Sequence, residues 1–323
     1  MPTHNTVGLN DILVKVAISK TIYAISGPTA SGKTALGVEL ALRVGGEVIN
    51  FDSVQIYKGI EIATAKPTVE EMRDVPHHLI NYVEPSVNYT AADWARDAAK
   101  AIEVIESRSK TVVLVGGTGF YLRTLRQPLF DSPPTDPILR EKFREIHRDK
   151  GSAYLHSMLA EVDPELAENL GENDHVRVIR GLEVFHQTGK RMSDVQLDRA
   201  NAPEFASRIK LFVLSPPRDE LYARINARTE QHFANGLIDE VKQLRESGVR
   251  DDTNALGAHA YRRVCEYLRG ERDLESAIEL SKQNVRNYAK RQFTWFRSES
   301  DAVWLEGFGT NEGLVHEILA HSS

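Results

Sequence analysis

The octapeptide Gly27-Pro28-Thr29-Ala30-Ser31-Gly32-Lys33-Thr34 constrains this chain more than any other stretch: it fits G-x-x-x-x-G-K-[ST] and stands between a strand-like run and a helix-like one. Residues 21–26 (TIYAIS) are β-prone, and residues 34–43 (TALGVELALR) repeat their apolar side chains at helical spacing. In such a strand–loop–helix setting, backbone N–H groups of the loop and the helix N-terminus converge on phosphate oxygens. Lys33 adds a point charge there, and the Thr34 hydroxyl offers a ligand to Mg²⁺. The motif specifies a phosphate chain. It does not specify ATP.

The flanking sequence extends the same architecture. Residues 46–51 (GEVINF) form a second strand-like run ending at Asp52, and residues 111–115 (TVVLV) form a third that ends in Gly116-Gly117-Thr118-Gly119. Between them, Trp94, Ala98, Ile102 and Ile105 fall on one helical face. Strands alternating with helices imply an α/β fold with a parallel, P-loop NTPase-like sheet flanked by helices, whose ligands sit at the carboxyl ends of the strands. Residues 131–137 (DSPPTDP) break the pattern, because three prolines remove backbone donors. Segments 139–147, 152–161 and 176–188 are helical in pattern, the last stopping at Gly189, and strand character returns at 209–214 (IKLFVL). The expectation is an all-helical lobe, residues 131–207, inserted into a core made of 21–130 and 208–323, with 1–20 as an N-terminal extension.

Composition narrows the function classes. No stretch reaches the ~18 apolar residues of a membrane span, residues 1–20 have no signal-peptide pattern, and Cys265 is the sole cysteine. A cytoplasmic monomer without internal disulfides is expected. A net charge of −6 argues against a surface coated in positive potential, so any RNA contact must be local. A P-loop NTPase usually places an acidic Mg²⁺ ligand at the end of a second hydrophobic strand; here Gly-Gly-Thr-Gly takes that place, suited with its Thr118 hydroxyl to further contacts with a diphosphate. Asp52, in Asp52-Ser53-Val54-Gln55, suits a Mg²⁺ ligand, a helix cap or a general base, and the Gln55 amide can bond a base edge. His77 and His78 are adjacent, diverge, and have no partners at ligand spacing, so zinc is not expected.

These residues closely resemble the tRNA dimethylallyltransferases, also called tRNA isopentenyltransferases, of the bacterial type. The resemblance runs from Ile22 to about Trp304. It rests on the P-loop, on Asp52 to Lys58 (DSVQIYK), on Thr64-Ala65-Lys66-Pro67, and on Pro76-His77-His78-Leu79. Further on come Val115 to Thr118 with Tyr121, Gly181-Leu182-Glu183-Val184, and Lys290-Arg291-Gln292 followed by Thr294-Trp295-Phe296, all in the family's order. The resemblance implies transfer of dimethylallyl from dimethylallyl diphosphate to N6 of the adenosine 3′ of the anticodon in tRNA. It further implies Asp52 as general base, the P-loop and Mg²⁺ on the diphosphate, and Thr118 and Arg140 stabilising the leaving group. An exocyclic amine needs a carboxylate to accept its proton, and extruding the base calls for an RNA-gripping lobe.

Contacts to tRNA are expected, on the same resemblance, from Asp52, Ser53, Val54, Gln55, Thr118, Arg140, Val176, Arg177, Arg180, Tyr261, Arg262, Arg286, Lys290 and Arg291. Val176 stands where the family has glutamine, and Ala260 stands where it has a glycine before Tyr261-Arg262. Arg286 and Lys290 share a helix face, interleaved with Tyr288, Phe293, Trp295 and Phe296. Three other readings are a transferase acting on free adenine nucleotides, a small-molecule kinase, and an RNA-binding scaffold. The helical insert and the KRQ-x-TWF block disfavour the first, Gly-Gly-Thr-Gly the second, and intact Lys33, Thr34 and Asp52 the third.

Overall fold

A computed structural model describes residues 21–130, 132–197 and 201–322. The expected N-terminal extension, and Asp131 in the proline-rich break, lie outside the described residues. The chain divides into two compact units: Met1–Asn88, Ala98–Thr118 and Arg208–Ser323 form one, and Tyr89–Asp97 with Gly119–Ser207 the other.

The first unit is built on six parallel strands in the order β3-β2-β4-β1-β5-β6. In chain order they are β1 (Ile22–Ser26), β2 (Gly46–Asn50), β3 (His77–His78), β4 (Thr111–Val115), β5 (Ile209–Ser215) and β6 (Val303–Glu306). β1 and β4 are buried along their whole length, as expected of strands covered on both faces. The sheet carries α1 (Lys33–Val44), α2 (Val69–Met72) and part of α3 (Ala91–Ser107). Its core gathers Ile25, Val113 and Phe212 from the sheet with Leu36 and Leu40 from α1. At Gly37 the helix comes so close to β4 that a Cβ would lie 2.3 Å from Val115 Cγ2.

Register brings the site together. Ile25 of β1 and Asn50 of β2 both pair with Val115 of β4, so the segments leaving all three strands emerge at one edge of the sheet. Phe51 N–H donates to Val115 O (2.9 Å) and Gly116 N–H to Ile25 O (3.2 Å), which locks those exits together. At Gly116 a Cβ would sit 2.5 Å from the Phe51 carbonyl carbon, so glycine is required by the close approach.

The second unit is helical: α4 (Gly119–Arg126), α5 (Pro137–Val162), α6 (Pro164–Glu168), α7 (His175–Thr188) and α8 (Met192–Leu197), with the first turns of α3. Pro137, read from sequence as part of the break, is instead the first residue of α5, where its missing N–H costs nothing, with Asp136 Oδ1 accepting from Ile138 and Leu139 N–H. α5 bends at Gly151 (φ 82°), matching the gap between the two helical segments seen in the sequence. Phe143, Leu155 and Leu159 of α5 pack against Val178 and Leu182 of α7. Buried Asp163 caps α6 and takes both the N–H (2.9 Å) and the hydroxyl (2.6 Å) of Ser193. α9 (Arg218–Ala234), α10 (Leu237–Glu246), α11 (His259–Leu268), α12 (Leu274–Arg297) and α13 (Leu314–Ala320) complete the first unit. No described helix is long and apolar enough to cross a membrane.

Candidate active site

A cleft of about 420 Å³ opens at the carboxyl ends of β1, β2 and β4. Lys33, Thr34, Asp52, Gln55, Arg224 and Arg228 are among its lining residues. The phosphate end is the Gly27–Thr34 loop. Gly32 precedes α1 in a left-handed conformation (φ 88°) with no side-chain cap, and the first helical bond runs from Leu36 N–H to Gly32 O (3.2 Å). The N–H groups of Lys33, Thr34 and Ala35 therefore have no intrahelical partner, which makes this end of the helix a site for an anion. Ser31 Oγ is buried without a hydrogen-bond partner among the described residues, leaving polar capacity in the loop.

Lys33 Nζ donates to Pro28 O (2.8 Å). Burial pushes its ammonium down to about 8, against the pull of the Asp52 carboxylate and with a smaller push from Arg228. Arg228 donates to Thr29 Oγ1 (2.6 Å). Burial also lowers its affinity for a proton, opposed by Asp52. One turn on, burial and then Arg228 press His232 down to about 4, so it is neutral at pH 7. Lys33, Lys66, Arg224 and Arg228 thus share the cleft with Asp52 and Glu71, a surplus of positive charge that a phosphorylated ligand would balance.

Asp52 sits on the turn that leaves β2. Its Oδ1 accepts from Val54 N–H (2.9 Å) and Gln55 N–H (3.3 Å), and among the described residues Oδ2 carries no hydrogen bond. No helix follows Asp52, so the expected helix cap is instead the cap of a turn, and it is compatible with the base reading: one oxygen orients the group and the other is open for a proton. Thr118 braces the same turn, its hydroxyl accepting from Ser53 N–H (3.0 Å) and donating to Ser53 Oγ (3.2 Å). Tyr288 is also hydrogen-bonded to Thr118; burial, then the nearby Asp52 charge, hold its phenol above the usual range. Gln55 Nε2 is spent on Thr64 O (3.1 Å) and Ala65 O (2.9 Å), so only its carbonyl oxygen is available to a base edge.

The remaining expected contacts divide by exposure. Tyr261 is fully buried, its hydroxyl donating to Glu240 Oε1 (2.6 Å) and accepting from Ala63 N–H (3.1 Å), which supports the 61–66 loop. Val54 is buried with its N–H donated to Asp52. Arg262, Lys290 and Arg291 are exposed, and Arg286 donates to Asn226 Oδ1 (2.5 Å).

In the helical unit, Arg140 makes a bidentate pair with fully buried Glu183, both bonds 2.7 Å. Arg180 is half-buried and tied to Ser132 Oγ (2.8 Å), Pro133 O (2.6 Å) and Glu183 (3.4 Å). Val176 is exposed, and Arg177 is exposed but paired with Asp174. Arg140, Arg144, Arg148, His147 and His175 line a second cavity, of about 270 Å³, in which the two imidazoles stack with centroids 4.6 Å apart.

Residues 55–299 match the family model described as IPP transferase. The chain belongs to the IPP transferase family. It is 48% identical over 289 residues to a tRNA dimethylallyltransferase of Geobacter sulfurreducens, covering 89% of this chain and 93% of that one. It is 40% identical over 308 residues to the tRNA dimethylallyltransferase of Carboxydothermus hydrogenoformans, covering 94% of this chain and 98% of that one. The crystal structure of a full-length tRNA isopentenylpyrophosphate transferase from Bacillus halodurans superposes with a TM-score of 0.69 at 38% identity, over 94% and 96% of the two chains. A eukaryotic dimethylallyltransferase acting on tRNA superposes with a TM-score of 0.74 at 28% identity, over 94% of this chain and 79% of that one. The resemblance drawn from the sequence and the expected α/β P-loop fold are both borne out.

For an IPP transferase, the residues the sequence left unassigned are informative. Gln292 Oε1 accepts from Thr29 N–H (2.8 Å) and its Nε2 donates to Gly117 O (2.9 Å), tying the P-loop to the second glycine turn. It falls within the KRQ-x-TWF block, but no spacing rule signals such a bridge. Arg224 and Arg228 carried no local signal at all, since arginines four apart on α9 read as a solvated face. Lys66 is nearly enclosed, donating to Tyr57 O (2.5 Å), Glu61 (2.8 Å) and Asn81 (3.1 Å).

Proposed function

We propose that this chain transfers a dimethylallyl group from dimethylallyl diphosphate to N6 of the adenosine 3′ of the anticodon in tRNA. The observation that carries the reading is the placement of the Asp52 carboxylate, oriented through Oδ1 and open at Oδ2, in one cleft with the uncapped N-terminus of α1. The relatives are named tRNA dimethylallyltransferases.

In the proposed step, the N6 lone pair forms a bond to C1 of the dimethylallyl group while the C1–O bond to the diphosphate breaks, and the diphosphate oxygen keeps the electron pair. N6 gives up one proton, accepted by Asp52 Oδ2 and later released to water. The products are N6-dimethylallyladenosine and diphosphate. The P-loop N–H groups, Lys33 and Arg228 hold the leaving charge where it develops, in a partly desolvated cleft where each interaction gains strength. Thr118 keeps the turn bearing the base in place. Arg140 acts on the leaving group in this proposal, which requires its pair with Glu183 to yield or to present a remaining N–H.

Thr34 would hold Mg²⁺, in the same cleft as the Asp52 carboxylate. One hydroxyl suits an ion that takes most of its ligands from phosphate oxygens and water, and leaves Asp52 Oδ2 open for the proton. When bound, the ion supplies charge neutralisation to the diphosphate.

The helical unit, with Val176, Arg177, Arg144 and Arg148 on its surface, is proposed to grip the anticodon stem-loop, and Arg262, Arg286, Lys290 and Arg291 to contact the backbone. The protein is taken to act as a cytoplasmic monomer. The test is incubation with Mg²⁺, labelled dimethylallyl diphosphate and either unmodified tRNA or AMP. Label entering tRNA supports the reading; label entering AMP alone would reassign the acceptor to free nucleotides, and ATP consumption without transfer would return the protein to the kinases.

A further inference from the structure

Arg224 differs from most arginines in this protein. It is exposed, lines the phosphate cleft, and among the described residues has no hydrogen-bonded or ion-paired carboxylate. Other arginines are paired in a chain with more acids than bases: Arg140 with Glu183, Arg208 with Glu106, Arg263 and Arg272 with Glu266. What holds Arg224 is a ring. Its guanidinium carbon lies 3.5 Å from the ring centroid of Phe308.

Phe308 is 4% exposed and packs with Leu221, Ile225 and Ala289, with Ala30 of the P-loop against the same cluster. The loop that carries it is fastened to the P-loop: Gly309 N–H donates to Ser31 O (2.8 Å), and a Cβ at Gly309 would lie 2.2 Å from Gly32 O. Arg224 is also four residues before Arg228 on α9, so both project from one face of the helix over the same cleft. An aromatic face fixes the guanidinium plane through cation–π attraction while leaving its in-plane N–H donors open, the geometry suited to bidentate phosphate binding.

We infer that Arg224 is a second arginine of the phosphate site, that its ligand is the diphosphate of the donor, and that Phe308 is the positioning residue that sets its plane. This inference rests on the prenyl-transfer reading for the identity of the donor. The phosphate of bound tRNA has the same chemistry, and the experiment separates the two sources.

Inorganic diphosphate with Mg²⁺ is titrated calorimetrically into the full chain without tRNA, and tRNA binding is measured separately by filter retention. Arg224→Ala, a surface change, is expected to weaken diphosphate roughly 10- to 100-fold, as loss of a charged hydrogen bond would, with tRNA affinity within about twofold of the parent. Phe308→Leu keeps an apolar side chain but removes the ring, and is expected to weaken diphosphate about 3- to 10-fold. Phe308→Tyr, which keeps the ring, restores it. In turnover, the Phe308→Leu defect appears in KM for the donor with kcat nearly unchanged. Undiminished diphosphate binding in Arg224→Ala, or loss of tRNA affinity instead, overturns the assignment. Equal binding by Phe308→Leu and Phe308→Tyr overturns the role of the ring. Because the titration needs no transfer, these outcomes stand whether or not the parent prenylates tRNA.

Discussion

The carboxamide oxygen of Gln292 accepts the backbone N–H of Thr29 at 2.8 Å, joining positions 263 residues apart, and the same amide donates to Gly117 O. A side chain from α12 thereby sets the spacing between the P-loop and the second glycine turn. Gln292→Ala leaves both backbone groups without partners in a buried place, and is expected to cost about 1–3 kcal/mol of stability. Thermal unfolding checks the stability, and a raised KM for dimethylallyl diphosphate checks the link to the loop. Gly117→Ala should act in the same direction, because a Cβ would lie 2.2 Å from Gln292 Nε2.

The Lys33 ammonium titrates at about 8 in the fold, against 10.5 for the free side chain. Below about 8 it is charged both folded and unfolded, and its burial is a cost to stability. Between the two values the unfolded chain binds more protons, so this cost fades as pH rises. Diphosphate binding runs the opposite way, since it needs the ammonium. Affinity for inorganic diphosphate should fall as pH rises above about 8, by up to about tenfold per unit. Lys33→Met should bind weakly with that dependence gone, which titrations across the range would reveal.

Tyr261 and Arg262 are neighbours with opposite expected behaviour. Tyr261→Phe removes the hydroxyl that joins Glu240 to Ala63, and should destabilise the protein by about 1–2 kcal/mol while leaving tRNA affinity close to that of the parent. Arg262→Ala, with its side chain 64% exposed, should leave the melting temperature unchanged and reduce tRNA affinity and its salt dependence. Melting curves and binding at two salt concentrations separate these effects.

Glu183 is fully buried and holds Arg140 through two bonds. Replacing Arg140 by Ala strands that carboxylate, with, among the described residues, the longer contact from Arg180 (3.4 Å) left to balance it. A loss of roughly 3 kcal/mol is expected, below the upper range for buried pairs because Arg140 is 29% exposed. Any drop in kcat for Arg140→Ala must therefore be judged beside its unfolding curve, and Arg140→Lys, which keeps the charge but not the fork, separates pairing from leaving-group chemistry.

The framework was legible where local chemistry is strong. The runs leading to Gly27, Asp52 and Gly116 are apolar, buried strands bounded by turn residues, and their ends could be read to within a residue or so. β3 could not be read this way, since two histidines give no strand signal; they are held by pairing with Val48 and Ile49. β6 is four residues at the sheet edge, too short to stand out beside α12. At the site, the octapeptide announces itself by spacing, whereas Asp52 stands out by its place at a strand end and takes its role only from the family resemblance. Gln292, Arg224 and Phe308 act through contacts that cross large stretches of chain, and Tyr261 stands beside a basic residue that suggests an RNA-facing surface although its side chain is buried. Only the tertiary packing separates these from ordinary core and surface residues.

The central claim is that Asp52 takes the proton from N6, and the most direct measurement is single-turnover transfer of labelled dimethylallyl from its diphosphate to unmodified tRNA by the parent and by Asp52→Asn. The amide can still accept from Val54 and Gln55 N–H, so donor and tRNA binding should persist. The account predicts a loss of transfer of roughly 10²- to 10⁴-fold. Transfer at the parental rate by Asp52→Asn, with both substrates bound, would contradict it.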